Sequence, residues 1–426
     1  MKSSRFWVFL ILLSGVLAFL FRDGFLPGLA GFANDAPLGL MQAYNRVRWE
    51  YFFGGSWIYH CWVGGSTLNT LPNFSHGLYL LAGAVPFAKF AAVVSLLFLG
   101  VSLWFLCRSL GFGVVPSVLT GLAGALNGNL LSHATWGLGS RAATVGFAAV
   151  ALGLLSRGTE ESRGFRRWSW LLLGGFATGM TVMEGADVGA LLSLCIGAYV
   201  MYQASLDSGD LRSRLGRGFL RLAVVTVCAA WIASYAITSL VGTQLKGVAV
   251  LSENEGARAQ RWDFITGWSF PKLEVVRIAI PGIMGYRMDT PEGGAYWGNV
   301  GQDGTPAFRF NGGGEYAGVL VLMVAGWAVA RAFSRSARQP FSERDRRLIG
   351  FWLALCVVSL LLSFGRFAPF YYLIYALPYL STIRVPMKFL HLMHFGLVVL
   401  FAYGLQGLWR LYAEGPAARG DGMVAQ

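Results

Sequence analysis

Charge is what this sequence has least of. Aspartate, glutamate, lysine and arginine make up 13% of the 426 residues, against 55% hydrophobic ones. Soluble chains carry about a quarter charged residues, so the deficit excludes an ordinary soluble domain and leaves a polytopic membrane protein. Acidic residues are scarcer than basic ones, 21 against 34. In a soluble chain that surplus would suggest nucleic acid. Here the basic residues sit in short loops between apolar runs, and no nucleic-acid motif occurs.

Cysteine is equally uninformative as chemistry. Cys107, Cys195, Cys228 and Cys356 fall inside apolar runs, where the thiol behaves as a small hydrophobe. Cys61 stands alone in a polar loop. Without CxxC or Cys/His spacing, neither disulfides nor structural zinc are expected. No internal repeat is visible, which counts against an inverted-repeat transporter.

What is present is a succession of apolar runs. MKSSRFWVFLILLSGVLAFLFRDG starts basic and continues apolar until Arg22. A cleaved signal peptide with GLAGFA as its site is one reading. The length of the run favours the other, an uncleaved first helix. Runs of about 17–24 residues suit a hydrocarbon core about 30 Å thick. They place helices near 6–22, 87–107, 114–131, 142–156, 168–184, 187–204, 219–241, 317–333, 348–364 and 386–409. The stretch 367–380, rich in proline and aromatics, reads as interfacial or re-entrant.

The expected fold is therefore an all-α polytopic membrane protein of about ten transmembrane helices. Residues 1–410 form one integral membrane domain and 411–426 a cytoplasmic tail. Arginine supports this order. With the N-terminus inside, the inner loops collect Arg108, then Arg157 to Arg167, Arg212 to Arg221, Arg331 to Arg347, and Arg410. The outer loops stay poor in basic residues until Arg366, Arg384 and Lys388, as the positive-inside rule requires. Two long outer segments, about 23–86 and 242–316, are rich in Gly, Trp, Tyr and Asn and should carry interfacial helices.

Candidate chemistry gathers at the outer boundary. Asp35, between a Gly/Pro-rich turn and Pro37, reads either as a helix cap or as an acidic group serving as general base or metal ligand. Glu184 and Asp187 flank a tight turn, as solvated loop residues or as ligands for a cation or a sugar hydroxyl. His133 and Arg141, with Asn127 and Asn129, surround another outer turn. His133 has a structural alternative, and Arg141 can simply snorkel. Polar groups collected on one membrane face raise the prospect of a shared cavity.

The segment STIRVPMKFLHLMHFGLVVLFAYGLQGLWR carries the densest basic cluster. On a helix, Lys388 lies about 40° from Arg384 and His391 about 20° to the other side, so the three share a face. Arg384 and Lys388 can snorkel, whereas an imidazole as deep as His391 needs a polar interior or a wet cavity. A one-faced basic entrance suits a phosphate or pyrophosphate head group.

Three patches carry a family resemblance: WSFPKLEVVRIAIPGIMG followed by AYWGN, then EYAGVLVLMVAGWAV, and IRVPMKFLHLMHFGLVVLFAYGLQGL. With Asp35 in the first outer loop, they resemble the YfhO-type bacterial membrane proteins of the C-type (GT-C) glycosyltransferase superfamily. The resemblance implies a multi-pass protein of the bacterial cytoplasmic membrane with both termini cytoplasmic. It implies sugar transfer from a polyprenyl-phosphate donor to an extracytoplasmic acceptor, a cell-envelope glycan or a teichoic-acid-type polymer. Asp35 takes the catalytic-base or metal position, with a divalent cation as the candidate cofactor. Arg384 and Lys388 take the donor-phosphate position. His133, Arg141, Glu184, Asp187 and His391 would line the cavity, and membrane lipids are the other partner. Two further readings stand beside it: a transporter or flippase of lipid-linked glycans, and a non-catalytic membrane subunit of a larger complex.

Overall fold

The computed structural model describes residues 3–30, 56–58, 65–67, 72–161, 163–240, 255–285, 296–300, 314–335, 338–377 and 383–413. Its helices are α1 (Ser3–Leu20), α2 (Phe74–Ala82), α3 (Ala84–Ser109), α4 (Val114–Ala125), α5 (Gly128–Thr135), α6 (Gly139–Glu160) and α7 (Gly164–Glu184). They continue as α8 (Ala186–Ser205), α9 (Leu211–Leu240), α10 (Glu255–Thr266), α11 (Val319–Phe333), α12 (Glu343–Ser363), α13 (Phe370–Tyr375) and α14 (Phe389–Tyr412). The described strands are β1 (Ser56–Ile58) and β2 (Gly65–Thr67), an antiparallel pair with Trp57 opposite Ser66.

The apolar runs named above are helical over most of their described residues, but the expected count of about ten spans is not confirmed. Among the described residues six helices are long and apolar enough to cross a membrane: α3, α6, α8, α9, α12 and α14. A seventh arises if α4 and α5 count as one bent span. The run 114–131 is not one straight helix: α4 and α5 meet at 45°. Asn127 causes the break. Its backbone is extended and its side chain accepts from the N–H groups of Asn129 and Leu130, capping a new helix. The stretch 367–380 contributes the short helix α13 in its described part.

The last long helix is the axis of the molecule. In the most apolar 18-residue stretch of Pro386–Ala413, 89% of the residues are buried, against 28% in that of Leu211–Thr238 at the periphery. α14 packs on α4, α5, α8, α11 and α12. Gly404 lets α11 approach closely, because a Cβ there would overlap the Val324 carbonyl. α9 and α12 instead leave large apolar side chains such as Trp231, Val227 and Val358 exposed, as a lipid-facing surface does.

Short connections make successive helices antiparallel, so like ends collect. At one end Arg410 bonds Asp345 at 3.0 Å, Arg221 bonds Asp207 at 2.8 Å, and Tyr202 donates to the Arg347 carbonyl. This is the arginine-rich end. The other end gathers the starts of α6, α8, α11 and α14 with the close of α5 and α7. The candidate site lies there.

Candidate functional site

Five chain segments build the site, four of them helix ends and the fifth the stretch ahead of α11 that carries Glu315. α8 follows α7 through Gly185 alone and carries Asp187 in its first turn, where a carboxylate complements the helix dipole. α6 brings Arg141 in its own first turn. The helix break after α4 exposes Asn127 and Asn129, and α5 carries His133. The entry to α14 is tied down from outside. Val385, at φ 66°, donates its N–H to the Ile265 carbonyl, and Met387 donates to Trp268. Pro386 then opens the 3-10 turn Pro386–Lys388 that leads into the helix.

At the mouth, Lys388 Nζ lies 2.5 Å from Asp187 Oδ2, and Arg141 Nη2 lies 3.9 Å from the same oxygen. The Lys388 side chain is 8% exposed and Asp187 43%. Two cations thus face one half-exposed carboxylate at a membrane-protein boundary. Below them, Arg141 Nη1 donates to His391 Nε2 at 3.3 Å. His391 Nδ1 contacts Asn129 Oδ1 at 2.6 Å, and Asn129 Nδ2 donates to Glu315 Oε2 at 3.0 Å. His394 Nε2 stands 3.7 Å from that carboxylate oxygen, and its Nδ1 meets Asn127 Nδ2 at 3.1 Å. His133 packs edge-on to His391, ring centroids 4.6 Å apart, and bonds the Asn129 carbonyl.

Glu315 and His394 are buried completely. Burial pushes the Glu315 carboxyl up, but the His394 and His133 imidazoles and the Arg277 guanidinium more than offset it, leaving it below the usual carboxylate range. The segment that carries Glu315 is pinned to the helix break. Gly128 donates to the Tyr316 carbonyl at 3.0 Å, and Gly314 to Ser132 Oγ at 2.9 Å. A Cβ on Gly128 would stand 2.5 Å from that carbonyl, so only glycine permits the approach.

The residues singled out in the sequence separate into three groups. His133, Arg141, Asp187, Lys388 and His391 come together. Glu184 turns away from Asp187: its carboxylate takes the Ser75 N–H and hydroxyl, fastening α7 to the start of α2. Arg384 does not share a helical face with Lys388, because the helical turn begins only at Pro386. Its guanidinium is exposed over the Phe264 ring, 5.6 Å from the centroid. Asp35 lies outside the described residues.

Glu315 is the member that sequence reasoning missed. Its signal was a lone carboxylate heading an apolar run, EYAGVLVLMVAGWAV. Among the described residues no three His, Cys, Asp or Glu side chains gather as a metal ion requires. A second buried carboxylate, Glu274, bonds Arg277, the Tyr296 hydroxyl and the Asn299 N–H, and so ties 274–277 to 296–299.

Comparison with protein-family models, curated proteins and solved structures finds no match. The site therefore stands on its own geometry.

Proposed function

We propose that this chain is an integral membrane glycosyltransferase of the GT-C type that takes a polyprenyl-phosphate-linked sugar at the end of the bundle holding Asp187 and Lys388. The observation that carries the reading is the pair of cations on one carboxylate: Lys388 and Arg141 both address Asp187 Oδ2. A phosphate entering from the boundary finds two donors, one of them held only at 3.9 Å from its present partner. Arg384, exposed just before the turn, adds charge at the approach. In this reading the arginine-rich end faces the cytoplasm of a bacterial inner membrane. Asp35 activates the acceptor hydroxyl, and Lys388 with Arg141 stabilises the departing phosphate.

The test is sugar transfer from a polyprenyl-phosphate donor by the purified chain in liposomes. Lys388→Met and Asp35→Asn should each lower turnover by about 10²-fold or more. Unchanged turnover in Asp35→Asn removes that residue from the chemistry, and unchanged turnover in Lys388→Met removes the phosphate site. One observation favours the second reading, a flippase or transporter of lipid-linked glycans. The ionic cluster sits beside a broken helix, an arrangement transporters use. Movement of a labelled lipid-linked glycan across liposomes without transfer would decide for it.

A further inference from the structure

The hydrogen bonds around Asn129 admit one arrangement of protons. Ionised Glu315 only accepts, so the Asn129 amide turns Nδ2 to Glu315 and Oδ1 to His391. His391 Nδ1 must then donate, which leaves the Nε2 lone pair facing Arg141 Nη1 at 3.3 Å. His394 is fixed in the opposite sense. Asn127 Oδ1 is occupied by the α5 cap, so Asn127 Nδ2 meets His394 Nδ1, and the His394 proton sits on Nε2 toward Glu315. His133 Nδ1 donates to the Asn129 carbonyl. The tautomer of each ring is thus set by its neighbour, and His391 Nε2 carries no proton.

The chain Arg141–His391–Asn129–Glu315 therefore has a direction, with every donor pointing from the mouth toward the buried carboxylate. A carboxylate acting through a second group to orient an imidazole and raise its basicity is a recurring arrangement in catalytic and metal sites. The charged and titratable groups around His391 are Arg141 on α6, His133 on α5, Asp187 on α8, Glu315 ahead of α11, and Lys388 and His394 on its own segment. Arg141 and Lys388 are the like charges nearest Nε2, and at the mouth Asp187 offsets them. An anion bound to both would cancel that field and draw Arg141 away from the ring.

We propose that His391 is the proton-accepting group of this site. When a phosphate-bearing ligand engages Arg141 and Lys388, His391 Nε2 takes a proton from solvent and presents the new N–H to a phosphate oxygen. Asn129 and Glu315 act as positioning residues. This rests on the phosphate reading above.

The test is calorimetric titration of the full chain in nanodiscs, in slightly alkaline buffers of different ionisation enthalpy. The probes are a polyprenyl phosphate and, separately, inorganic pyrophosphate. The expected result is uptake of about one proton per bound probe. Uptake with both probes makes the phosphate group alone sufficient, and uptake with the polyprenyl phosphate alone makes the lipid part of the signal. The uptake is lost in His391→Gln and kept in His76→Gln, whose ring lies apart on α2 and contacts Asn73. Binding without proton exchange, or uptake that survives His391→Gln, overturns the inference alone. Failure of the wild-type chain to bind either probe overturns the phosphate reading and this inference with it. If His391→Gln does not fold, histidine ¹⁵N spectra of the wild-type chain replace it. The His391 ring should be protonated on Nδ1 only when free and on both nitrogens when bound, and a neutral ring in both states overturns the proposal.

Discussion

Lys388 and Asp187 form an ion pair at 2.5 Å across two helices, with the lysine buried and the carboxylate half-exposed. They are two hundred residues apart in the chain, and each stands in the first turns of its own segment. The asymmetry in exposure sets what substitution does. Lys388→Met removes a charge from a dry position but leaves Asp187 access to water and to Arg141. Asp187→Asn strands a buried ammonium. We expect Asp187→Asn to cost about 2–4 kcal/mol and Lys388→Met about 1 kcal/mol less. The double substitution should cost less than the sum, and thermal unfolding in detergent measures all three.

Asn127 serves the helix break and His394 together. Asn127→Ala should cost about 1–2 kcal/mol from the lost cap alone. Asn127→Asp keeps the cap but sets an acceptor against His394 Nδ1, so the ring should acquire a proton there. Histidine ¹⁵N spectra report that change directly.

Gly128→Ala forces apart the helix break and the segment holding Glu315. With the new Cβ 2.5 Å from the Tyr316 carbonyl, the backbone must shift, at about 1–3 kcal/mol. The same substitution should uncouple Glu315 from Asn129, visible as faster hydrogen exchange at Gly128 and Gly314.

Glu315 gives stability a pH dependence of known sign. Its carboxyl is held below the ordinary range, so the unfolded chain binds the proton more readily. The contribution is complete above the unfolded carboxyl's titration near about 4.3, and is lost as pH falls through the lower, folded value. Melting temperature should therefore fall on acidification below that range, and Glu315→Gln should flatten this part of the profile. An unchanged slope in Glu315→Gln would assign the acid sensitivity elsewhere.

Arg384 is exposed and touches Phe264 only through its guanidinium face. Arg384→Ala should leave the unfolding free energy within about 0.5 kcal/mol of wild type. It should weaken binding of a polyprenyl phosphate and reduce its salt dependence. Equal affinity at low salt would remove Arg384 from the approach.

Much of the helical framework was legible because hydrocarbon-length apolar runs are local: each needs only its own composition. The break at Asn127 was legible too in principle, since LNGN places a strong cap inside an apolar run, but run length hid it. The number of spans was not. α11 is apolar yet short, at 15 residues, and α7, at 21 residues, is long enough but not apolar enough, so counting runs does not by itself set the number of spans. The helical-wheel grouping of Arg384 with Lys388 assumed a helix that the left-handed Val385 does not allow.

By itself the sequence determined the class of the protein, the positions of most of its long apolar helices and the end at which its arginines collect. Those follow from hydrophobicity along a single strand of chain. Only the tertiary structure decided that Asp187 neutralises Lys388, that Glu184 belongs to a different contact, and that Glu315 underlies His391. Such partners lie on separate helices, and helix packing, not local propensity, determines which polar groups are buried together and must satisfy one another.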